Sequence, residues 1–497
     1  MPDDKKIPAP REGETFVRMY RQGLGDCFLI TFRGDDGGPV HLLIDCGVWD
    51  ADAATMAQMQ RVVDNIRVAT GGHLDLLVCT HEHWDHNSGF NQHRDLFEKQ
   101  MTIDRAWMAW TENMKDPLAR ALKEEYEARR NKLAAAINRL SGANPAMGAK
   151  AAALAEVDGI DLTGLAGMAA AGVRADPGAA MKWLRDIAAR HADSFLMPGE
   201  VRAIPGAADA ARAFVLGPPH SRELLRKNLP TKKQQEEGEV YHEHGGDAFH
   251  MRFANRLADE AFFAAVDTRD RTPEQLAALV GEELEQYQLG LPFDVSHQLT
   301  PSAAGGIGDS GYFRDEHKWR RIDDDWLNTA ANIALWMQGS TNNTSLVLAI
   351  ELLPARKVLL MAADAQTGNW LSWADVKFKP PHAAVSVDDL LERTVLYKVG
   401  HHGSHNATLR RDGLEKMTDG ELVAMIPVNR DSVEKKGWAM PYPPMYRALR
   451  KQTKGRIMRA DEGVMKKPAA TAKNTWDDFE AAVEEDKAFL QYRVRHG

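Results

Sequence analysis

Residue types that bind metals follow three separate apolar runs, and this pattern constrains the fold of the 497-residue chain more than any other feature. The densest group is Thr-His-Glu-His-Trp-Asp-His at residues 80–86, directly after the run at 74–79. Asp364 follows the run at 357–361, and a His-His-Gly-Ser segment at 401–404 follows another such run. Short apolar runs of this kind predict strands buried in a sheet. Strand ends are therefore where a functional site is expected.

The first group has the spacing of a metal-binding loop. In an irregular loop His81 and His83 can turn their imidazoles toward one point, and Asp85 and His86 can serve a second point a few ångströms away. Zinc and similar metals bind histidine nitrogen and carboxylate oxygen, and a catalytic site keeps one position open for water. With this composition, a chance H-x-H-x-D-H pattern has odds on the order of one in a thousand. The motif therefore predicts a metal site.

The rest of the pattern predicts a sheet with helices packed against it, an α+β fold. Apolar runs separated by glycine-rich turns at the start of the chain are typical of hairpins, and apolar residues at helical spacing follow at 51–69. Predicted strands lie at 16–20, 27–32, 40–44, 74–79, 213–216, 345–350, 357–361, 394–399 and 422–426.

Two segments differ in composition from these strands and predict mainly helical insertions. The first is rich in alanine, and the second is charged and polar with a helix expected near 272–289. A lid, a substrate-selecting wall, a dimer contact and a partner interface are all open roles for them. The expected division is core 12–111, insertion 112–211, core strand and loop 212–220, insertion 221–335, core 336–465, and a C-terminal helix or tail 466–497.

Composition bounds the partners and the compartment. The net charge of −9 argues against non-specific coating of nucleic acid, although a local basic groove stays possible. We find no apolar run of about 18 residues and no secretory signal at the start, so we expect no membrane contact and a cytoplasmic location. The three cysteines, Cys27, Cys46 and Cys79, are expected to be buried reduced thiols.

Taken together, the motifs resemble the metallo-β-lactamase fold, and most closely the C-terminal hydrolase domain of the ComEC competence proteins and its stand-alone relatives. The resemblance covers roughly residues 15–100, 211–220 and 340–465, and neither insertion. That family usually has Gly-Asp where this chain has Ala363-Asp364. The resemblance implies an αββα metallo-β-lactamase sandwich opened by the two insertions. Further segments that carry it are 23–26, 43–47, 342–348, 398–404, 441–443 and 459–463.

The resemblance also implies roles for individual residues. Two divalent ions are expected, Zn²⁺ first and Mn²⁺ as the alternative. The implied ligands are His81 and His83 for the first metal, Asp85, His86 and His402 for the second, Asp364 as the bridge, and His220 as the best-placed third histidine of the first metal.

Four further residues receive roles outside the ligand set. His401 is expected to face the substrate, and with Asp85 and Asp364 it forms the expected catalytic set. Asp45 is expected to orient a metal-binding histidine, and Asp26 to be a turn residue. His401 and His405 are both open as donors of a proton to the leaving group.

The predicted function is a binuclear metal-dependent hydrolase that uses a metal-bridged hydroxide, acting on phosphodiesters and possibly on nucleic acid. A hydrolase of small esters, lactones or thioesters on the same metals is an alternative, as are a mononuclear iron redox enzyme and a non-catalytic interaction protein of the same fold. The oligomeric state is left open. Basic runs at 447–467 and 222–233 could track a phosphate backbone or form solvated faces. A His-x-His motif at 242–247 is interpreted as a polar loop.

Overall fold

The structure is a computed structural model that describes residues 5–128, 177–228, 341–435, 438–469 and 471–497. The chain divides into two units, the first formed by residues 1–123, 173–243 and 339–497 and the second by 124–172 and 244–338. The helix predicted near 272–289 and the motif at 242–247 lie outside the described residues.

Sixteen strands and a set of helices make up the described part of the first unit. The strands are β1 Glu14–Tyr20, β2 Cys27–Arg33, β3 Pro39–Cys46, β4 His73–Cys79, β5 Thr102–Ala109, β6 Phe195–Leu196, β7 Val201–Ala203, β8 Ala211–Gly217, β9 Val347–Leu352, β10 Lys357–Met361, β11 Thr394–Lys398, β12 Val423–Ile426, β13 Ile457–Arg459, β14 Gly463–Val464, β15 Val483–Glu485 and β16 Phe489–Arg495.

The helices that bear on the core or the site are α1 Ala53–Thr70, α2 Trp84–Gln92, α3 Arg94–Lys99, α4 Pro177–Ala188, α5 Arg222–Leu225, α6 Thr367–Ser372, α7 Val387–Glu392, α8 Arg430–Lys435, α9 Pro443–Gln452 and α10 Lys473–Glu480. Short 3-10 turns lie at Trp110–Glu112, Trp373–Asp375, Gly400–Gly403 and Leu414–Lys416.

The described strands form two mixed sheets of eight strands each. The first has the order β15-β16-β1-β2-β3-β4-β5-β6, and the second β14-β13-β12-β11-β10-β9-β8-β7. Each sheet contains a parallel block, formed by β3 to β6 in the first sheet and by β10 to β13 in the second. The other neighbouring strands pair antiparallel. The fold is thus mixed α and β, in agreement with the predicted α+β class.

Three buried clusters surround these sheets. One cluster contains residues of both sheets, such as Ile30 and Ile44 from the first and Leu348 and Leu359 from the second. A second cluster joins the second sheet to α6, α7 and α9. The third joins the first sheet to α1 and α4. Both sheets are therefore buried on two sides, which explains why their strands are apolar on nearly every residue.

Helix α1 shows how local sequence fixes these layers. Its apolar residues Met59, Val62, Val63 and Ile66 recur at the spacing of one helix face, and all are fully buried. The Asp52 carboxylate caps the start by accepting hydrogen bonds from the backbone N–H groups of the first turn. The sequence therefore determines both where this helix begins and which face packs on the sheet.

A buried carboxylate ties three basic side chains together at the far end of β9. The Glu351 side chain is fully covered, and its oxygens accept hydrogen bonds from Arg212 at 2.6 Å, Arg356 at 3.0 Å and Arg393 at 2.9 Å. Burial alone would raise the pKa of Glu351, but these hydrogen bonds outweigh it and lower the pKa. This cluster fastens β8, β9 and the loop before β11 to one another.

Every strand predicted from the sequence is present within about two residues. The predicted helical character of the first insertion and the predicted C-terminal helix are present as α4 and α10, but the structure also contains strands that the pattern did not indicate. Residues 177–203, assigned to the first insertion, hold α4, β6 and β7, and the two strands pair with the sheets. The expected tail holds α10, β15 and β16, and β16 pairs with β1 along its whole length. Strands of two or three residues are too short to leave a periodic signal.

Two further expectations can be compared with the structure. The three cysteines are free and buried, as predicted. Among the described helices, none is both long and apolar enough to cross a membrane.

Candidate metal centre

The predicted site residues come together where strands of the two sheets end. β4 ends at Cys79, and the segment that follows leads into α2, which carries Asp85 and His86 in its first turn. β10 and β11 are adjacent and parallel, so the residues that follow them, Asp364 and the His401–His402 pair, lie at one sheet edge. The contact between His402 and Asp85 joins the two groups. The fold thus brings into contact two residues that lie nearly 320 positions apart in the sequence.

Four side-chain atoms surround one point. His402 Nε2 lies 2.9 Å from Asp85 Oδ2, and His86 Nε2 lies 3.1 Å from Asp364 Oδ2. The cross pairs, His86 with Asp85 and His402 with Asp364, are 3.9 and 4.0 Å apart. Ligands about 2.0–2.2 Å from a tetrahedral metal are roughly 3.3–3.6 Å from one another. The measured distances of 2.9–4.0 Å lie on either side of that range, so small side-chain shifts would bring the four atoms to the spacing of ligands of one cation.

The hydrogen bonds on the other side of each ring leave the facing nitrogens free to bind. His86 Nδ1 is 2.8 Å from Asp45 Oδ2, and His402 Nδ1 is 2.7 Å from the carbonyl of Pro427. Both partners only accept, so Nδ1 carries the proton in each ring. In the neutral ring Nε2 then holds a lone pair, and it points at a carboxylate oxygen that also only accepts. A proton or a metal cation must lie between them.

Two buried polar atoms at this point have no hydrogen-bond partner among the described residues. They are His86 Nε2 and Asp85 Oδ1. Buried polar atoms are almost always satisfied, so two orphans at the same point call for a ligand. The residues present thus fit a bound metal ion.

His81 and His83 face a second point beside the first. His81 Nε2 lies 3.0 Å from His83 Nδ1, and both side chains are buried. The other nitrogen of His81 lies 3.1 Å from Thr80 Oγ1, whose own proton goes to Asp45 Oδ2 at 2.7 Å. Thr80 therefore accepts from His81, and His81 Nε2 keeps its lone pair.

Asp45 makes the orienting contact that the sequence predicted. Its side chain is fully buried, and it accepts hydrogen bonds from the backbone N–H of Thr80 at 2.8 Å, from the Thr80 hydroxyl and from His86 Nδ1. Metal-binding histidines commonly donate to such a carboxylate, which fixes the ring and its tautomer.

Asp26 and Lys398 belong to the site, and the sequence analysis gave neither a role there. Asp26, His86, Asp364 and His402 form a buried cluster that could hold a metal ion. Asp26 contacts both rings at Nδ1, at 3.8 Å, on the side away from Asp85. It also forms an ion pair with Lys398, whose amine is 3.3 Å from Asp364 Oδ1. Asp26 thus faces the Nδ1 side of the two rings, and Asp85 faces their Nε2 side.

Signals for both residues were present in the sequence. Asp26 ends a Gly-Leu-Gly-Asp turn, and its burial could not be seen from the turn alone. Lys398 is a charge inside an apolar run, and its side chain is 1% exposed. A buried lysine needs a charged partner, which would have pointed to the neighbouring carboxylates.

The charges of the site fix the protonation of its groups. Burial alone would raise the pKa of Asp85, but the nearby His86 and His402 rings have the larger effect and lower that pKa to about 2. At His86 burial is outweighed by Asp364 and Asp26, which raise its pKa well above the ordinary value, and His402 is raised as well. Burial lowers the pKa of His81 and His83. The first pair of histidines is thus neutral, and the second pair holds protons that a cation would displace.

His401 lies at the half-buried mouth of the cluster. Its backbone N–H donates to Asp364 Oδ1 at 3.1 Å, and its ring lies 3.4 Å from the Gln366 amide nitrogen. Burial lowers the pKa of its imidazole to about 4, so the ring is neutral at pH 7. This position fits the predicted role of facing a substrate.

Backbone strain is concentrated at the site. Asp45, Ala363, His401 and His402 have positive φ angles of 54°, 48°, 44° and 54°. Such a conformation costs a non-glycine residue of order 1–3 kcal/mol and is common at functional sites.

The structure does not bring His220 into contact with the other predicted ligands. Its Nε2 lies 3.1 Å from Asp116 Oδ2, its ring packs on Trp110 at 4.3 Å, and its side chain is 42% exposed. Its role as the third histidine stays a prediction. His405 packs edge-on against Tyr442 at 6.0 Å, beside the loop that carries His402.

Comparisons with protein-family models, with curated proteins and with solved structures find no match to this chain.

Proposed function

We propose that this protein is a metal-dependent hydrolase of phosphodiesters, built on a metallo-β-lactamase-like αββα sandwich. The observation that carries the proposal is the convergence of Asp85, His86, Asp364 and His402 with both Nε2 atoms free of protein donors. Three sequence motifs meet at one point, and the residues behind them fix the ring tautomers. A structural ion pair would not need that arrangement.

The packing supports the layered fold. One cluster of core residues is shared by the two sheets, and each sheet has a further cluster against its own helices. That order of contacts corresponds to helix, sheet, sheet, helix. The motifs lie at one edge of the two sheets, where loops can be varied without disturbing the core.

The chain offers ligands for two cations. Asp85, His86 and His402 would hold one, His81 and His83 the other, with Asp364 between them. A pair of divalent ions lowers the pKa of bound water and stabilises charge that develops on a substrate oxygen. Asp45 and Lys398 hold the ligands in place, and the neutral His401 ring lines the mouth where substrate oxygens would lie.

The surface next to the site favours an anionic substrate. Helix α9 starts beside the His402 loop, where the Tyr442 N–H donates to the Gly403 carbonyl at 2.8 Å. Arg447, Arg450 and Lys451 are exposed on this helix, and their spacing places them on one face. A phosphodiester is the hydrolysable group that such a face would attract.

Metal analysis followed by turnover assays tests the proposal. Full-length protein should bind divalent metal and cleave bis-p-nitrophenyl phosphate and single-stranded DNA with Mn²⁺ or Zn²⁺. Asp85→Ala and His402→Ala should each abolish turnover. The matched control is His382→Ala, which removes a histidine that packs edge-on against Phe214 and belongs to no cluster of metal-binding residue types among the described residues. Full metal loading without phosphodiester turnover, but with brisk cleavage of a lactone or thioester, would overturn the substrate assignment.

A further inference from the structure

Asn342 lies against the first pair of histidines, and the sequence analysis gave it no role of its own. Its side chain is fully buried, and its Oδ1 is 3.2 Å from His81 Nε2. Its Nδ2 is 3.5 Å from His401 Nε2 on the other side. The amide therefore lies between two of the three motifs.

The chain around Asn342 is held against the histidine motif. The Leu346 N–H donates to the Thr80 carbonyl at 3.0 Å, and the Ser345 hydroxyl accepts from the Asp364 N–H at 3.2 Å. The next residue, Asn343, faces away, since its Oδ1 accepts from the backbone N–H groups of Gln366 and Asn369. Asn343 thus fixes the turn, while Asn342 presents its amide to the site.

Three atoms of types that can bind a cation meet at this point. His81 Nε2 keeps its lone pair because Thr80 accepts the proton of Nδ1, and His83 Nδ1 and Asn342 Oδ1 lie 3.0 and 3.2 Å from it. Carbonyl oxygens and imidazoles both bind divalent cations. The spacing is close to that of ligands sharing one metal.

We propose that Asn342 Oδ1 is the third protein ligand of the first metal, in the position for which the sequence favoured His220. This rests on the metal-dependent function proposed above. With Asp364 shared between the two sites, the first site adds a neutral amide to its two histidines where the second adds the Asp85 carboxylate, so the first site binds its cation more weakly. The two metals should therefore bind with different affinities, and the first site should tolerate Mn²⁺, a metal that carbonyl ligands suit.

Isothermal titration and equilibrium dialysis with Mn²⁺ and with Zn²⁺ test this on the full-length chain. Wild type should bind two ions, one more weakly. Asn342→Ala should weaken the lower-affinity site by about tenfold or more and leave the other within about threefold. Asn342→Asp should restore binding, and Asn342→His should shift the preference of that site toward Zn²⁺. A residue with only a structural role would not change metal preference.

Two controls separate the possible failures. Asn65→Ala removes a buried amide that accepts from Arg18 and Tyr20, and His220→Ala removes the alternative ligand; neither should change metal binding. If wild type binds two ions and Asn342→Ala binds both as tightly, the assignment of Asn342 is wrong and the proposed function stands. A loss on His220→Ala alone would also overturn it. A wild-type chain that binds no metal would refute both.

Discussion

Replacing Asp45 by asparagine separates the ligands from the residues that orient them. The carboxylate touches no proposed metal position, yet it accepts three hydrogen bonds, two from Thr80 and one from His86 Nδ1, at 2.7–2.8 Å. An amide has the same shape but offers only one oxygen. At least one of the three donors would then face an NH₂ group, and His86 would lose the negative charge beside it.

The size of the effect follows from these contacts. A hydrogen bond to a charged group contributes about 1.5–3 kcal/mol, and an unsatisfied buried donor adds its own cost. We expect Asp45→Asn to lower the free energy of unfolding by about 2–4 kcal/mol in chelator. Loss of an orienting carboxylate typically weakens metal affinity about 10–100-fold. That corresponds to about 1.4–2.8 kcal/mol.

Zn²⁺ titration calorimetry well below the unfolding temperature measures the affinity, and urea denaturation in chelator measures the stability. The matched control is Glu351→Gln, which removes a buried carboxylate that also accepts hydrogen bonds from three side chains but lies at the far end of β9. The control should bind metal as wild type does. An Asp45→Asn variant that folds and binds Zn²⁺ within about twofold of the control would refute the reasoning.

Three further predictions follow from other parts of the structure. Metal affinity should rise with pH, because the raised pKa values of His86 and His402 mean that a metal must displace protons from both rings. Calorimetry in two buffers of different ionisation enthalpy counts the protons released, and pH-independent binding would contradict this prediction. Glu351→Gln should lower the free energy of unfolding by about 2–3 kcal/mol at neutral pH. The difference from wild type should shrink below about pH 4.5, because the pKa of Glu351 is lowered in the folded state and its contribution is lost as the carboxylate is protonated. Urea titrations measure this difference, and one that persists at low pH would contradict the prediction. Gly47→Ala should lower the free energy of unfolding by about 1–3 kcal/mol or more, because the new Cβ would lie 2.3 Å from a backbone atom of α2. Gly420→Ala is the control, since no atom lies within 4 Å of its Cβ position, and it should melt like wild type. Equal melting temperatures for the two variants would contradict the predicted clash.

Much of the fold is visible in the sequence because burial on both faces of a sheet leaves a continuous apolar run. The runs at 27–32 and 394–399 needed only that rule. That rule did not predict β16, because Gln491, Tyr492 and Arg493 interrupt its apolar residues. Its pairing with β1 in the structure defines it as a strand. The edge strands β6 and β7 are too short for any pattern.

The candidate site was predicted where its chemistry is local and missed where it depends on tertiary contact. The histidines at 81–86 can be recognised as candidate metal ligands because their spacing within six residues forms a motif. Lys398 and Asp26 matter only because the fold buries them together. His220 was favoured as the third histidine because the family resemblance implies one after a strand, but which side chain lies beside His81 is set by the path of the chain after residue 340.

The pairing of β16 with β1 means that the first sheet cannot be completed until the end of the chain has been translated. β16 lies inside the first sheet, between β15 and β1, so β1 remains an open edge until residues 489–495 have been made. At about 5–20 residues per second, the roughly 470 residues between the two strands take about 25–95 s to translate. Throughout that time one edge of β1 has no partner strand, while its other edge is free to pair with β2.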